Sequence, residues 1–214
     1  MVINRSSQRG TKGGVLKKTI LVSRCLFFII ILSLLGITSR VGSETVSPRN
    51  AKIENEKIDR LFKKVGILKV LSKSPPVEIN LFDLKGRKVS LSEYKGKIVF
   101  LNFWTTWCPP CRYEMPMMEK LYRRLKKKAF KMIAINLKES KTVVKAFFKT
   151  HRLTFISLLD PRGETGLRFG IKSIPTTFIL GKDGRIIGKA LGPREWDSKT
   201  SIALFRYLIH GPTD

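Results

Sequence analysis

The stretch Trp107–Cys111 reads Trp-Cys-Pro-Pro-Cys, and it joins the apolar run Ile98–Trp104 to a sequence with helical spacing. Two cysteines separated by two residues, where a buried strand gives way to a helix, are typical of a redox dithiol. The thiol of Cys108 would face the N-terminus of that helix, where unpaired N–H groups and the helix dipole stabilise a thiolate. Cys111 lies one turn further on, close enough to close a small disulfide ring. The stretch therefore predicts thiol–disulfide exchange, with a Cys108–Cys111 disulfide as the redox group and no other cofactor.

Two alternative roles for the cysteine pair agree less well with the rest of the chain. A structural zinc site needs four ligands, and outside the pair the chain offers only Cys25, His151 and His210. Neither histidine has a ligand-like neighbour. A purely structural disulfide is unfavourable, because so short a loop removes little entropy from the unfolded chain. The sequence therefore predicts a functional dithiol and no metal site.

The composition points to an anionic neighbour. The 214 residues carry 42 Lys and Arg against 16 Asp and Glu, a formal net charge of +26. Such a balance suits a membrane surface, an acidic partner or nucleic acid. The densest basic run, Arg123–Lys128, falls at the predicted C-terminal end of a helix, where cations complement the dipole and are ordinarily solvated. Since no aromatic residues are interleaved and no nucleic-acid motif occurs, we expect a membrane-proximal basic surface and no nucleic-acid partner.

Residues 1–42 are expected to form a signal peptide or a membrane anchor. Basic residues precede the apolar run Leu26–Ile37, which would span only about 18 Å as a helix, short of a hydrocarbon core of about 30 Å. Counted from Ile20, the helix would reach about 27 Å, with the side chain of Arg24 extending to the interface. The small residues 41–43 make a poor cleavage site because a basic residue precedes them. We therefore favour an uncleaved anchor, and in either case expect the following domain on the periplasmic or extracytoplasmic side of the cell envelope.

The remainder of the chain alternates predicted strands and helices. A charged tether is expected over 43–74, followed by a β-hairpin over 77–91 with its turn at Lys85-Gly86. After the hairpin we predict strand 98–104, helix 109–128, strand 131–137, helix 141–150, strand 155–159, helix 164–169, strands 177–180 and 185–190, and helix 197–210. This order predicts a β-α-β-α-β core, closed by an antiparallel hairpin and a helix, in one α/β domain over 75–214.

Residues from about 75 to 210 resemble the exported thiol-disulfide oxidoreductases of the TlpA/ResA/CcmG type. The stretches that carry the resemblance occur in the order of that family, and they are Leu84–Gly86, Leu91–Ser92, Tyr94–Lys97, Val99–Trp104, Trp107–Cys111, Glu114–Pro116 and Ile174–Phe178. The resemblance implies a thioredoxin fold, which is a mixed central sheet flanked by helices, with an added N-terminal β-hairpin. It also implies an enzyme that is membrane-tethered or periplasmic, acts as a reductant and often serves cytochrome c maturation.

The two cysteines are expected to take different roles. Cys108 would be the exposed nucleophile that attacks a substrate disulfide, and Cys111 would resolve the mixed disulfide that results. Pro109 and Pro110 have no N–H groups, which limits the number of donors available to the Cys108 thiolate. We therefore expect a less acidic thiol than in strongly oxidising relatives, as suits a reductant.

Several residues around the dithiol are expected to contact the substrate. Pro175 resembles the family's cis-proline, which lies against the dithiol and lets the preceding backbone, here that of Ile174, pair with an incoming strand. An ordinary edge-strand proline is the alternative. Trp107 is expected to be a partly exposed contact beside the nucleophile, and Pro109 and Pro110 to complete the binding surface.

Glu114 is the third candidate catalytic residue. It falls three residues after Cys111 on the apolar stripe of the predicted helix, so its carboxyl would be partly desolvated, with a raised pKa. Such a group could exchange protons with the dithiol. Ordinary thioredoxins place a buried Asp in the central strand where this chain has Asn102, so Glu114 resembles the acidic residue of the ResA-like branch. The alternative is a glutamate that flanks the stripe and extends to water.

The function that follows is reduction of disulfides in exported proteins, foremost the CxxCH cysteines of apocytochrome c before haem attachment. A transmembrane thiol-electron carrier would then return the enzyme to its reduced state. One alternative is an oxidising or isomerising disulfide catalyst. Another is a copper-binding chaperone, although such proteins usually space their cysteines three apart and add a downstream His ligand. A peroxidase of the peroxiredoxin type is disfavoured, because Leu101 stands where that family needs a proline.

Overall fold

The computed structural model describes residues 48–70 and 75–211. The chain divides into two units, Met1–Thr45 and Val46–Asp214, and the expected signal peptide or anchor over 1–42 lies outside the described residues. Within the described ranges, no helix is both long enough and apolar enough to cross a membrane.

In the ranges that the structure describes, an eight-stranded mixed sheet forms the centre of the domain. Its strands are β1 Leu68–Lys69, β2 Asn80–Asp83, β3 Lys88–Ser90, β4 Ile98–Trp104, β5 Phe130–Leu137, β6 Ile156–Asp160, β7 Thr176–Leu180 and β8 Ile186–Leu191. Across the sheet they follow the order β1-β8-β7-β4-β5-β6-β2-β3. β4, β5 and β6 run parallel, and the other neighbouring pairs are antiparallel. The parallel strands follow from the alternation of strand and helix along the chain, because a parallel pair needs a crossover connection.

The described residues form five α-helices against this sheet. They are α1 Pro48–Val65, α2 Pro109–Leu125, α3 Lys141–Thr150, α4 Glu164–Arg168 and α5 Lys199–His210, with a 3-10 helix at Leu91–Tyr94. One face of the sheet packs against α1, α2, α3 and α5. A second apolar layer, on the other face, includes the 3-10 helix residue Leu91 and the strand residue Val89. The result is a sheet covered on both faces.

β4 is buried along its whole length, as its unbroken apolar run predicts. Alternate side chains enter the two apolar layers, with Phe100 and Trp104 on the side of the long helices and Leu101 and Phe103 on the other side. The strand ends at Trp104, so the residues that follow it emerge at the carboxyl edge of the sheet. The dithiol therefore lies between the end of the buried strand β4 and the start of α2.

The segment 48–70 differs from the charged tether that the sequence predicts over 43–74. It forms α1 and β1, and β1 pairs antiparallel with β8. Phe62 of α1 is 2% exposed, and a Cβ at Gly188 of β8 would lie only 2.5 Å from its ring. The apolar spacing of this helix is visible in the sequence. The packing of α1 on the sheet depends on Gly188, which has no side chain and is distant from α1 in the chain. A local sequence pattern does not predict that contact.

Candidate active site

The dithiol occupies the junction between β4 and α2. Cys108 is the N-terminal cap of α2, with extended backbone (φ −82°, ψ 107°), and Pro109 and Pro110 occupy the first helical positions. Proline is well tolerated there, because its missing N–H would have no partner within the helix. The two cysteines form a disulfide with their Cα atoms 5.3 Å apart. The backbone N–H of Cys111 donates to the Cys108 sulfur at 3.2 Å, so the first available N–H of the helix is directed at the expected nucleophile.

The disulfide is less accessible than the sequence predicts. Cys108, which was expected to be exposed, is 3% exposed, and Cys111 is 0% exposed. Part of the cover comes from the chain before Pro175, where the carbonyl oxygen of Ile174 lies 3.8 Å from the Cys108 sulfur. Because only Cys108 of the pair retains some exposure, an approaching sulfur atom reaches it before it reaches Cys111. The geometry of the oxidised state therefore agrees with Cys108 as the attacking cysteine.

The other predicted substrate contacts lie around the disulfide. The Ile174–Pro175 peptide bond is cis, the form that the resemblance implies, and Pro175 is buried while Ile174 is half-buried. Trp107 is 69% exposed, more than the partial exposure expected, and Pro109 and Pro110 are exposed as well. The structure thus brings these five residues together at one site, although substrate binding by them stays a prediction.

A groove that the sequence does not predict begins beside the dithiol. It encloses about 280 Å³, and its lining includes Trp107 and Ile174, Leu137 and Lys138 at the end of β5, and Leu167 of α4. Leu167 is 76% exposed, even more than Trp107. Exposed apolar side chains that line a groove suit the binding of apolar side chains from another chain. The groove is assembled from four separate segments, and for that reason no single stretch of sequence signals it.

Glu114 lies on the buried face of α2 and makes three hydrogen bonds. It is 0% exposed, so it does not extend to water. Its Oε1 accepts a hydrogen bond from Asn102 Nδ2 at 2.9 Å. Its Oε2 accepts from the indole N–H of Trp196 at 2.8 Å and from the backbone N–H of Arg194 at 3.2 Å. A buried carboxyl needs such donors, because its charged form has lost the hydrogen bonds of water.

The environment of Glu114 changes its ionisation. Burial raises the pKa of Glu114 to about 7, because removal from water disfavours the charged form. The hydrogen bonds from Trp196, Arg194 and Asn102 act in the opposite direction, and so does the positive charge of Arg194. A carboxyl with a pKa near neutrality can both accept and release a proton, which is the property of a general acid–base group. Glu114 also follows Cys111 by three residues on one helix, and such positions are neighbours on the helix surface.

The partners of Glu114 are not predicted from the sequence. Arg194 and Trp196 follow β8, before α5 begins, and no local motif assigns them to the site. From the sequence, Asn102 is recognised only as the residue that stands where ordinary thioredoxins have a buried Asp. Its Nδ2 also lies 2.9 Å from the hydroxyl oxygen of Thr177, to which it donates. Asn102 thus connects β4, α2 and β7.

A second carboxylate holds the loop that leads into the dithiol. Oε2 of Glu139 accepts hydrogen bonds from the backbone N–H of Thr106 at 2.7 Å and from Asn136 Nδ2 at 2.6 Å. Its Oε1 accepts from the Thr106 hydroxyl. These bonds hold Thr106, the residue next to Trp107, in place. Glu139 is not predicted from the sequence either, because the contact joins the ends of two strands.

The structure also locates the histidines that the alternative metal sites would need. His151 directly follows α3, with its ring centre 4.2 Å from that of Phe147, and His210 is the last residue of α5. Within the described residues, no group of three or more His, Cys, Asp or Glu side chains is arranged to hold a metal ion. The expectation that the protein needs no metal stays a prediction.

Comparison with known proteins identifies the family. Residues 71–189 match the AhpC/TSA family, and because this match covers more than half of the chain, the chain belongs to that family. It is similar to the thiol-disulfide oxidoreductase ResA of Bacillus thuringiensis subsp. konkukian, with 44% identity over 110 residues, which are 51% of this chain and 64% of that protein. ResA of Bacillus subtilis is 37% identical over 112 residues, covering 52% of this chain and 63% of that protein. The chain thus spans less than two thirds of the length of these relatives.

Solved structures show the same fold. StoA from Bacillus subtilis aligns with a TM-score of 0.53 at 31% identity, covering 60% of this chain and 97% of that chain. A DsbF homologue from Corynebacterium diphtheriae aligns with a TM-score of 0.58 at 30% identity, covering 67% of this chain and 93% of that chain. The comparisons confirm the predicted resemblance to ResA-like proteins and the predicted thioredoxin fold, with a mixed sheet flanked by helices.

Proposed function

We propose that this chain is a thiol-disulfide oxidoreductase that reduces disulfides in exported proteins through Cys108 and Cys111. The observation that carries the proposal is the Cys108–Cys111 disulfide at the N-terminus of α2, beside the cis peptide bond before Pro175. That arrangement holds two sulfur atoms in bonding distance and leaves only the first of them with some exposure, 3% for Cys108. The names of the similar ResA proteins support the same chemistry.

The reaction begins from the reduced dithiol. The Cys108 thiolate attacks one sulfur of a substrate disulfide, the substrate S–S bond breaks, and the departing substrate thiolate takes up a proton. Cys111 then loses its proton and attacks the Cys108 sulfur, which breaks the mixed disulfide and releases the second substrate thiol. Two electrons have passed to the substrate, and the enzyme is left with the Cys108–Cys111 disulfide that the structure contains.

Glu114 is proposed to receive the proton that Cys111 loses. Its carboxyl is buried on the same helix, and its pKa of about 7 lets it take up a proton at neutral pH. No other titratable side chain is hydrogen-bonded to this carboxyl among the residues that the structure describes. Because the carboxyl is 0% exposed, a proton held on Glu114 is kept from bulk water.

The surface and the N-terminal sequence support a proposal for the substrate and the partners. The apolar groove beside Trp107 suits a protein chain in extended form, with the disulfide of an exported protein placed against Cys108. The CxxCH cysteines of an apocytochrome c fit this requirement. A transmembrane thiol-electron donor would regenerate the dithiol, and residues 1–42 would hold the protein at the extracytoplasmic face of the membrane.

The direction of electron flow gives the test of this proposal. The Cys108–Cys111 couple is expected to have a reduction potential nearer ~−270 mV than ~−120 mV. Pro109 and Pro110 contribute no N–H groups, so the reduced thiolate is poorly stabilised and the disulfide is favoured. The potential is measured by equilibrating the protein with glutathione redox buffers and counting free thiols.

Pro110→Ala is the matched variant for this measurement. It restores one backbone N–H at the start of α2, so the potential is expected to rise by about 10–30 mV towards the oxidising end, the equivalent of one weak hydrogen bond to the thiolate. A wild-type potential near ~−120 mV would overturn the reductant assignment in favour of an oxidising or isomerising catalyst.

A further inference from the structure

A basic groove lies between α1 and α5, at the end of α2 opposite to the dithiol. Its volume is about 670 Å³, and Leu61 and Ile202 are part of its lining. Six basic side chains surround it, and they are Lys57, Arg60, Lys64, Arg124, Lys199 and Arg206. Arg124 stands near the last turn of α2, whose first turn begins at Cys108. The groove is therefore separate from the redox site, by roughly 24 Å along the helix.

Among the described residues, no acidic side chain balances the charges in this groove. Within the part of the chain that the structure describes, no carboxylate lines the groove and none of the six basic side chains is in an ion pair. Lys57 Nζ lies 5.6 Å from the centre of the Tyr207 ring. The positive charges that line one groove repel one another. An anion bound among them therefore lowers the energy of the folded domain. Half of the six are arginines, whose guanidinium groups bind phosphate oxygens in pairs.

The chain itself favours a lipid surface as the source of that anion. α1 begins at Pro48, and only residues 38–47 separate it from the apolar run Leu26–Ile37. That connection reaches at most about 35 Å. We propose that the groove binds the phosphate groups of an anionic lipid bilayer and so holds the domain on the membrane surface. This inference rests on the membrane attachment proposed above.

The test uses the full chain in proteoliposomes of phosphatidylcholine, with and without phosphatidylglycerol. Amide hydrogen exchange of α1 and α5 is expected to be at least about fivefold slower when phosphatidylglycerol is present, because each basic side chain near an anionic surface adds attraction. The double variant Arg60→Glu with Arg206→Glu is expected to lose this protection. Lys145→Glu with Lys149→Glu, on the exposed face of α3, makes the same change in net charge outside the groove and should retain it.

The other outcomes would overturn the inference. Equal exchange in both lipid compositions would mean that the groove does not bind the bilayer. Protection by inorganic phosphate alone, in phosphatidylcholine proteoliposomes, would assign the groove to a free anion. Loss of protection in the α3 variant would show a general charge effect. Failure of the full chain to insert into either kind of vesicle would instead refute the proposed membrane attachment.

A second inference comes from Arg194, which contacts the N-terminal segment and Glu114 at once. Its guanidinium donates to the carbonyl oxygen of Gly66 through Nη2 at 2.9 Å and Nε at 3.3 Å, and to that of Pro193 through Nη1 at 2.8 Å. Its backbone N–H donates to Glu114 Oε2 at 3.2 Å. One residue therefore connects the end of α1 to the buried carboxyl of the redox site.

Gly66, whose carbonyl oxygen accepts the bonds from this guanidinium, tolerates few substitutions. Gly66 follows the last residue of α1 with a φ of +73°, and a Cβ there would lie 2.9 Å from Arg194 Nε. A helix leaves its final carbonyl oxygens without partners, and a glycine in the left-handed region lets the chain turn away while a cation binds them. Further along, β1 pairs with β8 and Phe62 packs on Gly188. Docking of the segment 48–70 and placement of the Arg194 backbone thus depend on each other.

The geometry points to Arg194 as a positioning residue, which makes the hydrogen bonding of Glu114 depend on docking of α1 and β1. This inference deepens the proposed function, because it names what holds the proton-accepting group in place. Glu114 accepts hydrogen bonds from Asn102 of β4 and from Trp196 before α5, and it lies three residues after Cys111 on the same helix. Among the described residues, Arg194 supplies the positive charge that acts on Glu114.

The test follows the Glu114 carboxyl directly, by carbon NMR of the oxidised protein with labelled glutamate, with Glu114→Gln used to assign the signal. Arg194→Ala is expected to move the titration midpoint upward by at least about half a pH unit, because a donor to the carboxylate is loosened and a positive charge is lost. Phe62→Ala, which weakens docking of α1 without touching Arg194, should move it the same way. Arg194→Lys should restore part of the shift, since an ammonium group can still bind the carbonyl of Gly66.

Lys120→Ala is the matched control for this titration. It removes a cation of α2 that is paired with Asp197 at 3.0 Å, and it should leave the midpoint unchanged. An unchanged midpoint in Arg194→Ala and Phe62→Ala, or an equal shift in Lys120→Ala, would overturn the inference. Because the measurement needs no exchange activity, its failure is distinct from failure of the proposed function, which the glutathione equilibrium tests.

Discussion

Cys108→Ser is expected to slow disulfide reduction by on the order of a thousandfold or more, because a serine hydroxyl is not ionised near neutral pH and cannot form a mixed disulfide. Cys111→Ser is expected to stop turnover after the first step. Cys108 then keeps its substrate as a stable mixed disulfide, since the resolving thiol is gone. The rate is measured as thiol release from a peptide disulfide with a CxxCH sequence, and the adduct by mass spectrometry.

Cys25→Ser is the matched control for these two variants. It removes the third cysteine of the chain, which is distant from the dithiol in the sequence, and turnover should be unchanged. Activity that survives in Cys108→Ser, or an adduct of Cys111→Ser that is attached through Cys25, would contradict the assigned roles. In extracts of the source cell envelope, the protein captured by Cys111→Ser would name the substrate.

The free energy of unfolding of the oxidised protein is expected to fall as the pH rises from about 4.5 to about 7, and Glu114→Gln should remove this fall. In the unfolded chain the carboxyl loses its proton near pH 4.5, whereas burial lets the folded protein keep it until about pH 7. Within that window the folded state binds more protons, so stability decreases with rising pH. The stabilisation is fully present below the unfolded pKa, and its size is roughly 3 kcal/mol.

Urea unfolding at a series of pH values measures this effect. Glu119→Gln is the matched control, because Glu119 lies on the same helix and is 6% exposed. Burial alone would raise the pKa of Glu119, but hydrogen bonds from Thr154 and Arg123 and the charge of Arg123 hold it below its usual value. The contribution of Glu119 to stability is therefore lost only at lower pH. Glu119→Gln should keep the fall in the free energy of unfolding between about pH 4.5 and pH 7. Parallel profiles for wild type and Glu114→Gln would contradict the prediction.

In the reduced protein, Glu114→Gln is expected to have opposite effects on two steps of the reaction. Without the carboxylate charge, the Cys108 thiolate should form at lower pH, while proton transfer during resolution should slow. Alkylation of Cys108 followed against pH tests the first effect, and the lifetime of the mixed disulfide tests the second. Identical alkylation profiles in wild type and Glu114→Gln would show that the carboxyl takes no part in the thiol chemistry.

Some parts of the site are built by residues that lie close together in the chain, and these parts could be predicted from the sequence. The apolar run of β4, the cysteine spacing and the prolines at the start of α2 are local patterns, because strand burial and helix capping depend on residues a few positions apart. The buried position of Glu114 follows from the same helical periodicity. The AhpC/TSA match and the ResA-like relatives agree with the fold expected on these grounds.

The tertiary structure alone decided what surrounds those parts. The donors to Glu114 include Arg194 and Trp196, which are 80 and 82 positions away in the chain, and Thr106 is held by Glu139, 33 positions away. The segment expected as a tether is docked because Gly188 leaves room for Phe62. Such contacts depend on how strands are ordered in the sheet and where loops close, and a local pattern of residues does not encode either. The sequence by itself determined the dithiol and its helix, whereas packing decided how deeply the sulfur atoms are covered and how the proton-accepting group is held.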